Sequence, residues 1–393
     1  PAIQSQYEQT LAASATVDEA KSGYLPRINT SASYGYQELD RKGGLGFNGE
    51  TDSSPVDLTF SMSQNIFQGF QTDGTIEAAK SSLTASQLGH QENRQQIFLE
   101  AINAYIQLLK NQQLLQLSQR NVQALHHQVR LEQERLRAGT GISVDVLLAN
   151  SRLQQANERY SNFLGAFYQA EASFTQFFGV KPDYRTLQLP RFPSNIMPNQ
   201  IGQAVQTALL SNPSLKRAEA LSDSAYSEQK VAKSGYFPSV DVVASSNYND
   251  ASDDITGETS TNVIQLRGNW ELFSGFADKA REKRAIHRYQ STLSDKEYTR
   301  RQVVENTERA WAALATSRQR ARILQDAVSI SQQVHHARLR LRDIGSETAL
   351  NVLDAENELF NSQVNAVNTQ YESYVSGYQL LQVMGVLELS ALL

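Results

Sequence analysis

Cysteine is absent from the 393 residues, which removes disulfides, thiolate metal sites and cysteine nucleophiles together. That absence suits a bacterial envelope protein, although many cytosolic proteins share it. No apolar run approaches the ~18 residues that a membrane-spanning helix needs. An inner-membrane helical protein is therefore excluded, but a β-barrel is not, because alternation dilutes its apolar residues. Basic blocks are missing too: the net charge is −5, with no electrostatic footprint for nucleic acid. There is no Gly-rich phosphate loop, no Gly-x-Ser-x-Gly and no carboxylate pair in an evident cleft, so no residues nominate themselves for catalysis or for a cofactor. Proline is scarce, at 9 residues, and two stretches of more than 60 residues lack it entirely.

What the chain does have is repetition. Ala20-Lys21-Ser22-Gly23-Tyr24-Leu25-Pro26 returns as Ala232-Lys233-Ser234-Gly235-Tyr236-Phe237-Pro238, an offset of 212. Ile66-Phe67-Gln68-Gly69-Phe70 returns as Leu272-Phe273-Ser274-Gly275-Phe276, and Gly179-Val180 as Gly385-Val386, an offset of 206. A period this long is a duplicated domain half. The first repeat spans 1–180 and the second 201–393, and a connector at 181–200 carries Pro182, Pro190, Pro193 and Pro198. Pro1-Ala2-Ile3 aligns with Pro213-Ser214-Leu215, which has nine further repeat residues before it, so the sequence is expected to begin inside a repeat. Lack of a visible signal peptide then says nothing about targeting.

After each Tyr-Leu/Phe-Pro mark the pattern has period two. Ile28, Thr30, Ala32, Tyr34 and Tyr36 share one face, and Val56, Leu58, Phe60 and Met62 lie on the returning segment. The second repeat follows with Val240, Val242, Ala244, Ser246 and Tyr248, then Ile264, Leu266, Gly268, Trp270 and Leu272. Polar residues occupy the positions between. The spacing predicts strands at about 27–38, 56–67, 239–249 and 262–273, each long enough to cross a bilayer when tilted. The joining segments 38–55 and 249–262 are rich in Gly, Asp, Asn, Ser and Thr and read as exposed hairpin loops. Tyr24, Phe67, Phe70, Tyr236, Trp270, Phe273 and Phe276 sit near the strand ends, where aromatic girdles meet membrane surfaces. Four strands cannot close a spanning barrel, because known ones begin at about eight. The barrel is therefore expected to be shared between chains. A self-contained soluble sheet at the end of a coiled-coil scaffold is the alternative.

The proline-free stretches predict two helical hairpins, 74–178 with its turn at 139–142 and 277–384 with its turn at 344–347. Each long arm would be a rod of about 100 Å. Ala101, Leu108, Leu115, Val122, Val129 and Leu136 recur at sevens on the first arm. On the second, Val303, Thr307, Ala310, Leu314, Ser317, Ala321, Leu324, Val328 and Ser331 alternate by four and three, which implies supercoiled packing. Gly139, Thr140 and Gly141, and Gly345 and Ser346, form the turns, with Ser143 and Ser346 as expected N-caps. His126-His127 and His335-His336 invite a metal reading, but no Cys or carboxylate lies at ligand spacing, and His126 and His335 are expected to pack in helical seams.

These features together resemble the TolC family of outer-membrane efflux proteins, over essentially the whole chain. The carriers are Asn212-Pro213-x-Leu215, the two Ser-Gly-Tyr-Leu/Phe-Pro entries, the two Phe-x-Gly-Phe exits, and the turns Gly139-x5-Asp145-Val146-Leu147 and Gly345-x5-Asn351-Val352-Leu353-Asp354-Ala355. The resemblance implies a mainly α fold with a membrane β-barrel portion. In a homotrimer, twelve strands would close the barrel and twelve helices would continue it as a tunnel across the periplasm of a Gram-negative bacterium. The implied function is a passive exit duct, set in outer-membrane lipid and served by a periplasmic adaptor and an inner-membrane pump of ABC or RND type. Its adaptor would engage the turns. The Phe-x-Gly-Phe exits and the missing anchor cysteine lean toward type I protein secretion rather than drug efflux. The family gate is ringed by acidic residues at the turns. Asp354 falls on one ring position, and Asn351 replaces the acid at the other. Glu347 stands where some relatives place a gate-locking basic residue, opposite Asp145, so that ion pair cannot form; Arg137, Arg340 and Arg342 are the candidate substitutes.

Overall fold

The computed structural model describes residues 2–41, 49–190, 196–250 and 258–388. Parts of both expected hairpin loops, together with Pro1 and Pro193, lie outside them. The elements run in the order α1 (Ala2–Lys21), β1 (Arg27–Tyr34), β2 (Gln37–Arg41), β3 (Gly49–Ser53), β4 (Val56–Gln68), α2 (Gln71–Arg137) and α3 (Ser143–Phe178). Then come α4 (Ile201–Ser211), α5 (Pro213–Lys233), β5 (Ser239–Asp250), β6 (Glu258–Asn269), α6 (Ala277–Asp343) and α7 (Ala349–Val383). Two compact units, Pro1–His90 with Ser214–Thr299 and Gln91–Pro213 with Arg300–Leu393, each combine segments of both sequence repeats. Three-dimensional contact thus groups like ends of the repeats instead of following the chain.

The first unit contains the sheet. Its strands are antiparallel in the order β1-β4-β5-β6, with β1 and β6 at the edges. Arg27 faces Ser63 and Ser239 faces Asn269, so the two hairpins have equivalent registers. The pairings Ile28↔Met62, Met62↔Ala244 and Ala244↔Ile264 put the expected apolar positions on one face. That face is uncovered: Ile264 is 83% and Leu266 70% exposed. In water, each such side chain would forgo about 1.5–3 kcal/mol of burial, a cost that lipid removes. The opposite face is hydrogen-bonded, with Thr59 donating to Asn247 at 2.8 Å and Asn65 to Asp241 at 2.8 Å.

Two strand boundaries differ from expectation. The first expected strand, 27–38, divides: β1 stops at Tyr34, opposite Val56, and β2 pairs separately with β3. Pro55 has no N–H to continue the ladder, and its carbonyl accepts from the Gly35 N–H at 3.1 Å. The fourth strand begins at Glu258 and ends at Asn269 rather than running from 262 to 273. β5 starts at Ser239 opposite Asn269, so Trp270 and the residues just beyond it have no strand partner among the described residues. β4 escapes the same limit through a bulge at Ile66, which lets Phe67 and Gln68 pair with Val240 and Ser239.

In the second unit, Ile102, Ile106, Tyr378, Leu381 and Leu387 form one buried cluster, with Met197 of the connector packed against it. The Tyr105 hydroxyl pins the connector by donating to the Gln188 carbonyl at 2.8 Å and accepting from its N–H at 3.1 Å. On α6 the expected seam positions are buried or half-buried from Val303 to Ser331. On α2, Leu108 and Val129 are buried as expected, but elsewhere the seam departs from the sevens. Leu114, Ser118, Asn121, Leu125, Gln128 and Glu132 are buried at alternating spacings of four and three, whereas Leu115 and Val122 are half-buried beside them and Leu136 is exposed. His126 is likewise exposed rather than in the seam. A buried stripe so rich in polar groups requires hydrogen-bond partners, and these partners build the site below.

Candidate gate at the helical turns

Each helical hairpin reverses at a glycine in the left-handed region, Gly139 with φ 75° and Gly345 with φ 78°. There the last carbonyls of α2 and α6 are capped: Thr140 N–H reaches Arg135 O at 2.9 Å and Ser346 N–H reaches Leu341 O at 2.9 Å. Gly141 is required for space, because a Cβ there would lie 2.9 Å from the Leu136 backbone nitrogen. The return helices are not capped by the expected serines. Ser143 is the first residue of α3, after an Ile142 that offers no side-chain cap, and Ser346 lies in the turn. Thr348 caps α7, its hydroxyl accepting from the Asn351 N–H at 3.2 Å.

Arg342, in the last turn of α6, joins three segments of the second unit. Its Nη2 lies 2.7 Å from Glu132 Oε2 on α2 and 2.9 Å from Asp145 Oδ2 on α3, and Nη1 donates to the Glu347 carbonyl at 3.0 Å. The Glu132 side chain is 0% exposed. Its other oxygen accepts from Gln128 at 2.8 Å and from Arg135 at 3.0 Å, so the buried carboxylate is met on both sides. Burial works against the Arg342 charge, but the hydrogen bonds and charges of Glu132 and Asp145 outweigh it and hold its pKa above the ordinary arginine value. Beneath the turns, Leu125, Val129, Ala149, Leu153, Ala156 and Leu353 pack together.

Among the candidate substitutes for the lost lock, Arg342 is the one that meets Asp145. Glu347 joins the network by its carbonyl, while its carboxylate accepts from Asn351 Nδ2 at 2.6 Å, Thr348 N–H at 2.9 Å and Arg338 at 2.9 Å. The Asn351 and Thr348 hydrogen bonds, with Arg338, lower the Glu347 pKa against a smaller opposing effect of burial. Asp354 stands apart from this network: it is 53% exposed and paired with Arg152 at 2.8 Å. Glu132, Gln128, Arg135, Arg338 and Arg152 were not singled out from the sequence. Following the four-three spacing onward from Leu114 leads to Glu132.

Nearby, His335 Nε2 lies 2.9 Å from Glu356 Oε2, and Asn121 donates to Oε1 at 2.9 Å. Burial raises the Glu356 pKa, but His335 and Asn121 bring it below the ordinary value. No group of three metal-ligating side chains occurs among the described residues. At the strand ends that adjoin helices, in the first unit, Tyr24, Phe70, Tyr236, Trp270, Phe273 and Phe276 are exposed and Phe67 is half-buried. Phe67 meets Phe70 edge-on with centroids 5.4 Å apart, and Phe273 meets Phe276 likewise at 5.4 Å.

Residues 1–180 and 204–386 match the family described as outer membrane efflux protein. This chain belongs to that family. It is 25% identical to the outer membrane efflux protein BepC of Brucella suis, over 93% of the chain and 78% of BepC. Against the outer membrane protein TolC of Vibrio cholerae it is 23% identical, over 98% of the chain and 88% of TolC. The fold is also that of the outer membrane protein VceC of Vibrio cholerae, with a TM-score of 0.84 at 18% identity, covering 98% of this chain and 93% of VceC. The protein is thus a non-enzymatic outer-membrane duct whose helical part is periplasmic, and the soluble scaffold alternative is set aside.

Proposed function

We propose that three copies of this chain form an exit duct, each giving four strands to a twelve-stranded barrel and its helices to a twelve-helix tunnel. A periplasmic adaptor and an inner-membrane pump, of ABC or RND type, would deliver substrate to it. The observation that carries this reading is the sheet itself: a four-stranded antiparallel sheet in which β4, β5 and β6 have 12 or 13 residues each and β1 has 8, one apolar face open, and both edges unpaired among the described residues. Unpaired edges demand partners in a membrane, where water cannot satisfy them. Gly139, Thr140, Gly141, Gly345 and Ser346 form the surface for the adaptor.

Gating follows from the charges at the turns. Arg342 ties α6 to Asp145 and Glu132, and opening of the aperture would break that tie. Three Asp354 carboxylates around a threefold axis would attract cations, tempered by Arg152, and Asn351 would take the second ring position. Efflux is the role supported by the family description and by the name of BepC; the paired Phe-x-Gly-Phe exits favour type I protein secretion as the second reading. Deleting the gene and scoring drug sensitivity beside the secreted proteins separates them. Heightened drug sensitivity with unchanged secretion supports efflux, the reverse supports secretion, and neither change refutes both.

A further inference from the structure

The repeat allows the contact between subunits to be read from a contact inside the chain. Within the first unit, the second repeat's β5 and α5 lie against the first repeat's β4 and α2. In a threefold ring, β6 and α6 of one subunit would meet β1 and α1 of the next in the equivalent way, because each pair is the other shifted by the repeat offsets. We infer that this subunit interface copies the internal one residue for residue, with its polar pairs reversed in sign or direction. The inference rests on the trimeric reading above.

Two pairs carry it. On the helices, Lys230 meets Glu77 at 2.6 Å. Shifted by 212 and 206, these positions become Asp18 and Lys283, again an acid and a base, but on exchanged helices. On the polar face of the sheet, Asn65 donates to Asp241 at 2.8 Å. The shifted pair is Glu271 with Asn29, again amide and carboxylate, again exchanged. Both groups of each predicted pair are available. Lys283 is exposed and has no ion pair among the described residues. Asp18 is 73% exposed and touches only Lys21 of its own helix, at 2.8 Å.

Three further features fit the same interface. The bulged end of β4 pairs Phe67 and Gln68 with Val240 and Ser239, and its counterpart in the second repeat is Trp270–Ser274, which has no strand pairing among the described residues. The partner's Arg27 to Thr30 would supply the missing strand, extending β6 past Asn269. At Gly69, a Cβ would lie 2.7 Å from Ser234 O and 2.8 Å from Phe237 Cβ, whereas nothing lies within 4 Å of Gly275. The partner's Ser22 and Leu25 would fill that space. The charges also agree: α1 carries Glu8, Asp18 and Glu19 against one lysine, while Lys279, Arg281, Lys283, Arg284 and Arg288 crowd the start of α6.

The test uses the absence of native cysteine. A Cβ at Gly74 would lie 3.3 Å from Lys230 Cβ, close to the ~3.5–4.5 Å of a disulfide, and the shifted pair is Ala280 with Asp18. Cells co-expressing Asp18→Cys and Ala280→Cys as separate chains should yield an oxidised dimer band. The double variant should give a covalent trimer that reductant dissolves. Asp18→Cys with His287→Cys, two turns further along α6, should give neither. A second pair, Ala32→Cys with Gly268→Cys, reports on the strands independently of the helices. Light scattering of the unaltered protein separates the two readings. A trimer in which both pairs fail to crosslink overturns this interface and leaves the trimer standing; a monomer overturns both.

Discussion

Replacing Arg342 by alanine should loosen the helical turns more than any other single change there. The substitution removes contacts to Glu132 at 2.7 Å, Asp145 at 2.9 Å and the Glu347 carbonyl at 3.0 Å. Removing one partner of a buried pair costs about 3–5 kcal/mol when the other charge is stranded. Glu132 would not be wholly stranded, because Arg135 and Gln128 still reach its Oε1. One charge-assisted bond retained is worth about 1.5–3 kcal/mol, which leaves a net loss of about 2 kcal/mol. If opening separates Arg342 from Asp145 and Glu132, most of that loss falls on the closed arrangement. Since 1.4 kcal/mol is a factor of ten, the conducting fraction should rise about tenfold or more. Planar-bilayer recordings of the reconstituted protein measure this directly. Arg340→Ala is the control, because Arg340 is exposed and makes no ion pair among the described residues. Glu132→Gln should mute the effect, since no buried charge then remains to be stranded. Equal conductance for Arg342→Ala and Arg340→Ala would refute the reasoning.

Arg152→Ala should free Asp354 and strengthen block by polyvalent cations, whereas Asp354→Ala should weaken it; unchanged block in both removes Asp354 from the aperture. Gly69→Ala should cost well over 1 kcal/mol, because the added methyl meets backbone at 2.7 Å in a left-handed conformation, and thermal dissociation of the assembly is the readout. Thr348→Ala should remove the α7 cap at a cost of about 1 kcal/mol, seen as faster amide exchange from Asn351 onward. The lowered pKa values of Glu347 and Glu356 give a pH dependence of definite sign. Their stabilisation is complete above the unfolded carboxylate value of about 4.3 and is lost as pH falls through their folded values. Amide protection at the turns, measured against intrinsic exchange at each pH, should therefore fall below about pH 4; Glu347→Gln should lessen that acid response.

Much of the fold was legible because period two and the repeat constrained each other. The apolar faces of all four strands, the two glycine turns and the long helices each appear twice, so one copy checks the other. The strand ends were less legible because they depend on partners rather than on propensity. Trp270 and Leu272 alternate as a strand should, yet β5 begins too late to pair with them. The α2 seam keeps Leu108 and Val129 but otherwise departs from the sevens, because the apolar Leu115, Val122 and Leu136 yield the buried positions to the polar Ser118, Asn121 and Glu132. A preference for apolar seams hid Glu132, the carboxylate around which the Arg342 network forms. Arg342 was in view as one basic residue among three near the turn, and only side-chain geometry separates it from Arg137 and Arg340.

The central claim is that the sheet is one third of a wall. Cryo-electron microscopy of the protein in lipid nanodiscs tests it most directly. Three subunits around one axis, with β6 of each beside β1 of the next and the Ile264 face toward lipid, is the predicted result. A single chain whose β1 and β6 edges are covered by its own residues would contradict it.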